Sequence, residues 1–141
     1  MNLDTPVHTL MTWRPRLLDL HGDLSDAWTY MLNGGFHHLP VVHDGRLVGM
    51  LSVTDLRAVL RDLPDDIYET GVVLDTTRTI RSLMTEAPET LTPEETVRDA
   101  AAAFASGRYH ALPIVDGGQV VGILTTTDLV RWMLTQGEPA S

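Results

Sequence analysis

Two hydroxyl–carboxylate pairs with the same spacing are the residues of this sequence best suited to hold a small polar ligand. They are Ser52 with Asp55 and Thr125 with Asp128, and two residues separate the members of each pair. An ionised carboxylate only accepts hydrogen bonds and can take protons from two hydroxyl groups at once. A hydroxyl that stands where a strand meets a helix N-terminus lies beside backbone amides that favour a phosphate. The same spacing is also typical of a helix capping box, and the two roles can coexist.

Histidines form the second group of candidate site residues. His37 and His38 are adjacent in the first half of the chain, and His110 stands in the second half. A neutral imidazole donates one hydrogen bond and becomes a cation mainly below a pH of about 6.5. His37 and His110 could equally be strand-edge residues whose rings are hydrogen-bonded within the protein, whereas His38 is favoured over both as a site residue. We expect no metal site from His37, His38 and His43, because adjacent strand residues point to opposite faces and no carboxylate partner is evident.

The residue inventory argues against several classes of function. The sequence contains neither Cys nor Lys, has no Gly-rich phosphate loop, and offers no convincing Ser–His–Asp set, so we do not expect an enzyme. A formal net charge of −9, with Arg as the only cation besides His, argues against nucleic-acid binding. The N-terminus does not resemble a signal peptide, and no apolar stretch is long enough to cross a bilayer. We therefore expect a cytoplasmic protein with no membrane association.

An internal repeat organises the chain. Residues 36–42 align with residues 109–115 without a gap, so that Pro40 falls on Pro113, 73 positions later. The same shift places residues 10–12 on 83–85, and residues 54–56 on 127–129. We interpret the chain as one structural unit that occurs twice within a single compact module. Its predicted parts are repeat 1 (residues 1–61), a linker (62–79), repeat 2 (80–135) and a C-terminal tail (136–141).

Hydrophobic spacing predicts the order strand, helix, strand, strand, helix in each repeat. Asp23 and Thr92 are the predicted caps of the first helix in the two repeats, and Gly34 and Gly107 mark the ends of these helices. Two short runs rich in β-branched residues follow, joined by turn residues, which predicts a hairpin. Short strands are expected at residues 17–20 and 90–92, and short helices at residues 7–11 and 80–84.

This order of elements resembles the CBS domain, named for cystathionine β-synthase. An early Met-Thr, a central His-x-Leu-Pro-Val type segment and a closing Gly-x-Leu-Ser/Thr-x-x-Asp-Leu segment carry the resemblance, and they occur in both repeats. The resemblance covers nearly the whole chain and implies an α/β (α+β) fold, a tandem CBS-domain pair. In such a pair, two β-α-β-β-α repeats pack with pseudo-twofold symmetry. The clefts between the repeats commonly hold AMP, ATP or related adenosyl ligands in this family, and the pairs often form dimers.

The resemblance also assigns roles to the candidate residues. The acid of the closing segment accepts hydrogen bonds from ribose hydroxyls in the family, and the strand before the first helix borders the adenine. The two residues before Leu-Pro are often His and Arg that reach a phosphate, whereas this sequence has no Arg at either place. The ligand site implied by the resemblance comprises Ser52, Thr54, Asp55, Thr125, Thr127, Asp128, His37, His38, His110 and Thr90. Other cations that could support a phosphate are Arg46, Arg57, Arg108 and Arg131.

The resemblance implies a regulatory module that binds an adenine nucleotide (AMP, ADP or ATP) or a related adenosyl ligand. No cofactor is required, and the signal would be a conformational or dimer change. The expected partners are the small adenosyl ligand, a second copy of the chain in a homodimer, and an unidentified protein target. The alternative is a CBS pair whose clefts are empty and which acts only as a dimerisation or docking scaffold.

Overall fold

The computed structural model describes residues 1–61, 74–76 and 78–136. In chain order, the elements are a 3₁₀ helix (Val7–Thr9), β1 (Thr12–Trp13), β2 (Leu18–Asp19), α1 (Leu24–Gly34), β3 (His38–His43), β4 (Arg46–Ser52), α2 (Val53–Leu60), α3 (Ile80–Leu83), β5 (Thr85–Glu86), α4 (Val97–Ala105), β6 (Ala111–Asp116), β7 (Gln119–Thr125) and α5 (Thr126–Gln136). The predicted helix, strand, strand, helix order is thus present in both repeats, and the strand predicted before the first helix is present in repeat 1. Most of the predicted linker and nearly all of the predicted tail lie outside the described residues.

The chain divides into two compact units. The central unit is Arg16–Pro88, and its sheet has the strand order β2-β3-β4-β5. The terminal unit joins Met1–Pro15 to Glu89–Ser141, and its sheet has the order β1-β7-β6. Among the described residues, no helix combines the length and the apolar character that a membrane span requires.

Each unit contains the leading segment of the other repeat. Strand β5, at the start of repeat 2, pairs antiparallel with β4 in the central unit. Strand β1, near the N-terminus, pairs antiparallel with β7 in the terminal unit, and the Val7 amide donates to the Glu95 carbonyl at 2.8 Å. The predicted boundaries at 61 and 80 therefore describe the repeat along the sequence, whereas the units in space divide the chain near residues 15 and 88.

A hairpin forms the centre of each sheet, as its turn residues predict. Strands β3 and β4 pair antiparallel through Asp44-Gly45, and β6 and β7 pair through Gly117-Gly118. All four turn residues have positive φ, which is the conformation of the two-residue turns that match strand twist. Both hairpins also contain a register shift at the same repeat position, between Val41 and Val42 and between Ile114 and Val115.

Buried leucines at matching repeat positions fill the two cores. Leu39 and Leu51 are fully buried in the central unit, and Leu112 and Leu124 are fully buried in the terminal unit. Alternate residues of a strand point to the same face, so these side chains lie on the face that the helices cover. The leading segments complete each core, since Ile80 belongs to the central core and Val7 to the terminal one.

Two of the local predictions differ from the structure. Helix α4 begins after Thr96, four residues later than predicted, because residues 92–95 form a separate turn in which the Glu95 carboxylate accepts from the Thr92 amide at 3.0 Å. Residues 90–92 form no strand, and Leu91 instead makes an isolated parallel bridge to Ile114. Both differences arise because local spacing allows competing choices that tertiary packing decides.

The caps of the first helices also differ between the repeats. Asp23 holds the N-cap position of α1 as predicted, but its side chain makes no capping hydrogen bond. Asp75 takes this role, since its carboxylate accepts from the Ser25 amide at 3.0 Å and from the Ser25 hydroxyl at 2.6 Å. At α4, hydrogen bonds from the backbone and side chain of Thr96 lower the pKa of Asp99.

Candidate ligand-binding site

The hairpin of each unit brings the histidine segment next to the start of the second helix. In the central unit His38 lies opposite Ser52 in the strand register, and the Val53 amide donates to the His37 carbonyl at 2.8 Å. In the terminal unit the Thr126 amide donates to the His110 carbonyl at 3.1 Å. Motifs that are about 15 residues apart along the sequence therefore meet at one end of each sheet.

Both hydroxyl–carboxylate pairs form capping boxes. The Ser52 hydroxyl accepts from the Asp55 amide at 3.1 Å, and Asp55 Oδ2 accepts from the Ser52 amide at 3.0 Å. The second pair repeats this geometry, with 3.1 Å from the Asp128 amide to Thr125 Oγ1 and 2.9 Å from the Thr125 amide to Asp128 Oδ2. The capping interpretation of the sequence is therefore correct for both pairs.

The capping boxes leave hydrogen-bonding capacity for a ligand. Each acid uses Oδ2 for the cap, and Oδ1 of Asp55 and of Asp128 has no hydrogen-bond partner within the described part of the chain. The Ser52 and Thr125 hydroxyls accept the amide hydrogen bond and still carry a proton that they can donate. All four residues are half-buried, so they remain accessible to a small molecule.

The other predicted site residues differ in how close they lie to these pairs. Thr54 and Thr127 are exposed in the first turn of α2 and α5, beside the acids. His37 and His110 are exposed and His38 is half-buried, each at the start of its hairpin. Thr90 lies apart from these pairs. It precedes Leu91, whose amide donates to the Pro113 carbonyl at 3.1 Å. This contact is on the edge of β6 that faces away from β7.

A cavity of about 260 Å³ in the terminal unit includes Asp128. Its other lining residues are Leu10, Arg131, Trp132 and Thr135. Residues 128, 131, 132 and 135 lie on one face of α5, because residues three, four and seven positions apart share a helix face. The spacing could have shown this shared face, but the sequence left Arg131 as one of four unplaced cations. Leu10, which comes from the far end of the chain, could not be foreseen.

A larger cavity, of about 350 Å³, lies away from the predicted site. It is lined in the central unit by Leu20, His21, Gly22, Asp23, Leu24, Asp75, Arg78, Thr79 and Arg81. Strand β2 is parallel to β3 and its Asp19 pairs with Val42, so this cavity lies at the end of the sheet opposite Ser52. Several of its polar groups already bind within the protein, since Asp75 caps α1 and Arg81 pairs with Glu86 at 3.3 Å. We therefore place the candidate site at the acids, despite the smaller volume there.

Comparison with known proteins identifies the family. The CBS domain family profile matches residues 7–62 and 80–135, which cover more than half of the chain. This chain belongs to the CBS domain family. The resemblance to the CBS domain is thus confirmed, and one matched segment falls in each half of the chain.

Solved structures confirm the tandem-pair fold. The crystal structure of CBSX2 in complex with AMP is 27% identical, has a TM-score of 0.78, and is matched over 95% of this chain and 99% of that one. CBSX2 from Arabidopsis thaliana, also at 27% identity, has a TM-score of 0.80 over 96% of this chain and 99% of that one. The CBS pair of protein MJ0100, solved with 5′-methylthioadenosine and S-adenosyl-L-methionine, is 24% identical and supports the fold alone, with a TM-score of 0.76 over 92% of this chain and 99% of that one.

Curated relatives are longer than this chain. Uncharacterized protein MJ1225 of Methanocaldococcus jannaschii is 28% identical over 130 residues, 92% of this chain and 43% of that protein. The A-adding tRNA nucleotidyltransferase of Aquifex aeolicus is 28% identical over 126 residues, 89% of this chain but 14% of that enzyme. The match to the enzyme is thus confined to a small part of it. CBS pairs in general are regulatory modules and bind adenosyl ligands in related proteins.

Proposed function

We propose that this chain is a regulatory module that binds an adenosyl ligand (AMP, ADP, ATP or a relative) and catalyses no reaction. The observation that carries the proposal is the free carboxylate oxygen of Asp55 and Asp128 at a helix N-terminus, next to a hydroxyl that can still donate. An acceptor-only group suits the two hydroxyls of a ribose, and the adjacent amides suit a phosphate. The AMP complex of CBSX2, at 27% identity, supports the choice of ligand.

In the proposed complex, each acid holds the ribose through Oδ1 while Oδ2 continues to cap its helix. Ser52 and Thr125, together with Thr54 and Thr127, would donate hydroxyl hydrogen bonds to the sugar or phosphate. His37, His38 and His110 are the nearby groups that can donate to a phosphate. Thr90 would border the adenine.

Ligand-dependent stabilisation tests this proposal. Purified protein is heated with AMP, ADP, ATP, S-adenosylmethionine or NADH at pH 6 and pH 8. A ligand at about a hundred times its dissociation constant adds about 2.7 kcal/mol to the free energy of unfolding, which raises the melting midpoint by several degrees. We expect this rise with at least one ligand, and we expect the double substitution Asp55→Ala and Asp128→Ala to abolish it.

Asp99→Ala is the matched control. It removes a capping-box acid with the same arrangement at α4, where Asp99 Oδ2 accepts from the Thr96 amide at 3.0 Å. This variant should melt at a lower temperature without ligand and keep the full ligand response. If the double variant responds like the control, the site assignment is wrong. If no ligand stabilises the wild-type protein, the scaffold with empty clefts becomes the better account.

We also propose that ligand binding signals through a change in conformation or in a homodimer contact. A ligand can shift such an equilibrium only by its different affinity for the two arrangements. Small-angle scattering with and without saturating ligand tests this idea, and identical profiles would remove it. The protein target that would receive this signal is unidentified.

A further inference from the structure

The two repeats differ on the helix that carries the acid. At the repeat position of Arg131, three residues after Asp128, the first repeat has Ala58, three residues after Asp55. The next position holds Trp132 in the second repeat and Val59 in the first. The two candidate sites share the same capping-box geometry. They differ in the side chains that lie one helical turn after the acid, on α2 and on α5.

Arg131 is available to a ligand. Its side chain is exposed, and it makes no ion pair or hydrogen bond with any residue in the described ranges. Asp128 and Arg131 line the same cavity and are three residues apart on α5. A guanidinium stays charged throughout the physiological pH range and presents its N–H donors in a fork that matches phosphate oxygens.

The size and lining of this cavity indicate which part of a nucleotide it takes. Its volume of about 260 Å³ is below the range of about 300 to 1,000 Å³ for pockets that enclose a whole small ligand. Its lining combines the polar side chains of Asp128, Arg131 and Thr135 with Leu10 and the ring of Trp132. The acid and the arginine can therefore take a ribose and its phosphate, while Leu10 and Trp132 form the apolar part of the lining.

We propose that Arg131 makes the site of the terminal unit selective for adenosyl ligands that carry a phosphate. Asp128 holds the ribose, and Arg131 forms a charge-assisted hydrogen bond with the phosphate. The central site has Ala58 at this position and lacks that selectivity. The inference rests on the proposed adenosyl function and adds which ligand class the terminal site prefers.

The test compares AMP with adenosine, which differ only in the phosphate. Calorimetric titration is done in the Asp55→Ala background, so that the signal reports the terminal site. We expect AMP to bind more tightly than adenosine, and Arg131→Ala to weaken AMP about 10- to 100-fold, the range for a hydrogen bond with a charged group. Adenosine affinity should stay unchanged. Arg98→Ala, which removes an exposed arginine of α4 in the same unit, should change neither affinity.

Three outcomes would overturn the inference. Equal weakening of AMP and adenosine by Arg131→Ala would show that the arginine does not contact the phosphate. Loss of the AMP preference in His110→Ala, with none in Arg131→Ala, would assign the phosphate to the histidine. AMP binding by the wild type but not in the Asp55→Ala background would show that the terminal site is empty. Failure of the wild type to bind either ligand would instead overturn the proposed function.

Arg131→Gln, which keeps polarity and length, repeats the test if the alanine variant folds poorly.

Discussion

At the scale of single residues, one carboxylate can serve both the fold and the ligand. Asp128 binds the Thr125 amide through Oδ2 and keeps Oδ1 for a second partner, and Asp55 does the same at α2. This explains why the sequence pattern could be interpreted equally well as a cap or as a site. The two interpretations describe different atoms of the same side chain.

The sequence identified these acids but not every neighbour, for physical reasons. A capping box is a local signal, since both partners lie within four residues. Overlapping local signals can still mislead, and Thr96-x-x-Asp99 prevails over Thr92-x-x-Glu95 as the start of α4. The placement of Arg131 in a cavity depends on Leu10, some 120 residues earlier, and no local pattern encodes such a contact.

At the scale of elements, the leading segment of each repeat packs on the sheet of its unit through a methionine that contacts a glycine. A Cβ at Gly122 would collide with the Sδ of Met11, and a Cβ at Gly49 would collide with the Sδ of Met84. Neither glycine needs a positive φ, so what the position requires is space for the sulfur. In the sequence, the early Met-Thr and the later Gly were seen only as residues that both repeats share. In the structure, the Met of one repeat contacts the Gly of the other.

Gly122→Ala should destabilise the protein by about 1 to 3 kcal/mol, as is usual when a methyl group is forced into a packed core. Met11→Ala should relieve the collision, so the double variant should be less destabilised than the sum of the two single variants. Chemical denaturation of the wild type, both single variants and the double variant measures this coupling. Strictly additive free energies would show that Met11 does not pack on Gly122.

At the scale of the whole molecule, helix α5 carries an exposed apolar stripe. Val130, Met133 and Leu134 are 54%, 43% and 70% exposed, and their spacing places them on one side of the helix. Asp128 and Arg131 lie on a different side of α5 from this stripe. We propose this stripe as the contact of the homodimer expected from the family resemblance, and the stripe could only be recognised once burial was known.

Leu134→Glu should weaken this dimer, because a buried carboxylate without a partner is strongly disfavoured. Light scattering across a concentration series should give twice the mass of one chain for the wild type. The dissociation constant of the variant should be at least about tenfold higher, equivalent to about 1.4 kcal/mol. Gln119→Glu, an exposed substitution of the same charge on β7, should behave as the wild type does. A wild-type protein that remains monomeric at every concentration would reject the homodimer.

The central claim is that the free oxygens of Asp55 and Asp128 hold the ribose of an adenosyl ligand. Calorimetric titration of the wild-type protein with AMP and with 2′,3′-dideoxy-AMP tests it most directly, because the two ligands differ only in the hydroxyls that the acids would bind. We predict that AMP binds and that the dideoxy ligand binds at least about tenfold more weakly, since hydrogen bonds to a charged group are lost. Equal affinities for the two ligands would contradict the claim.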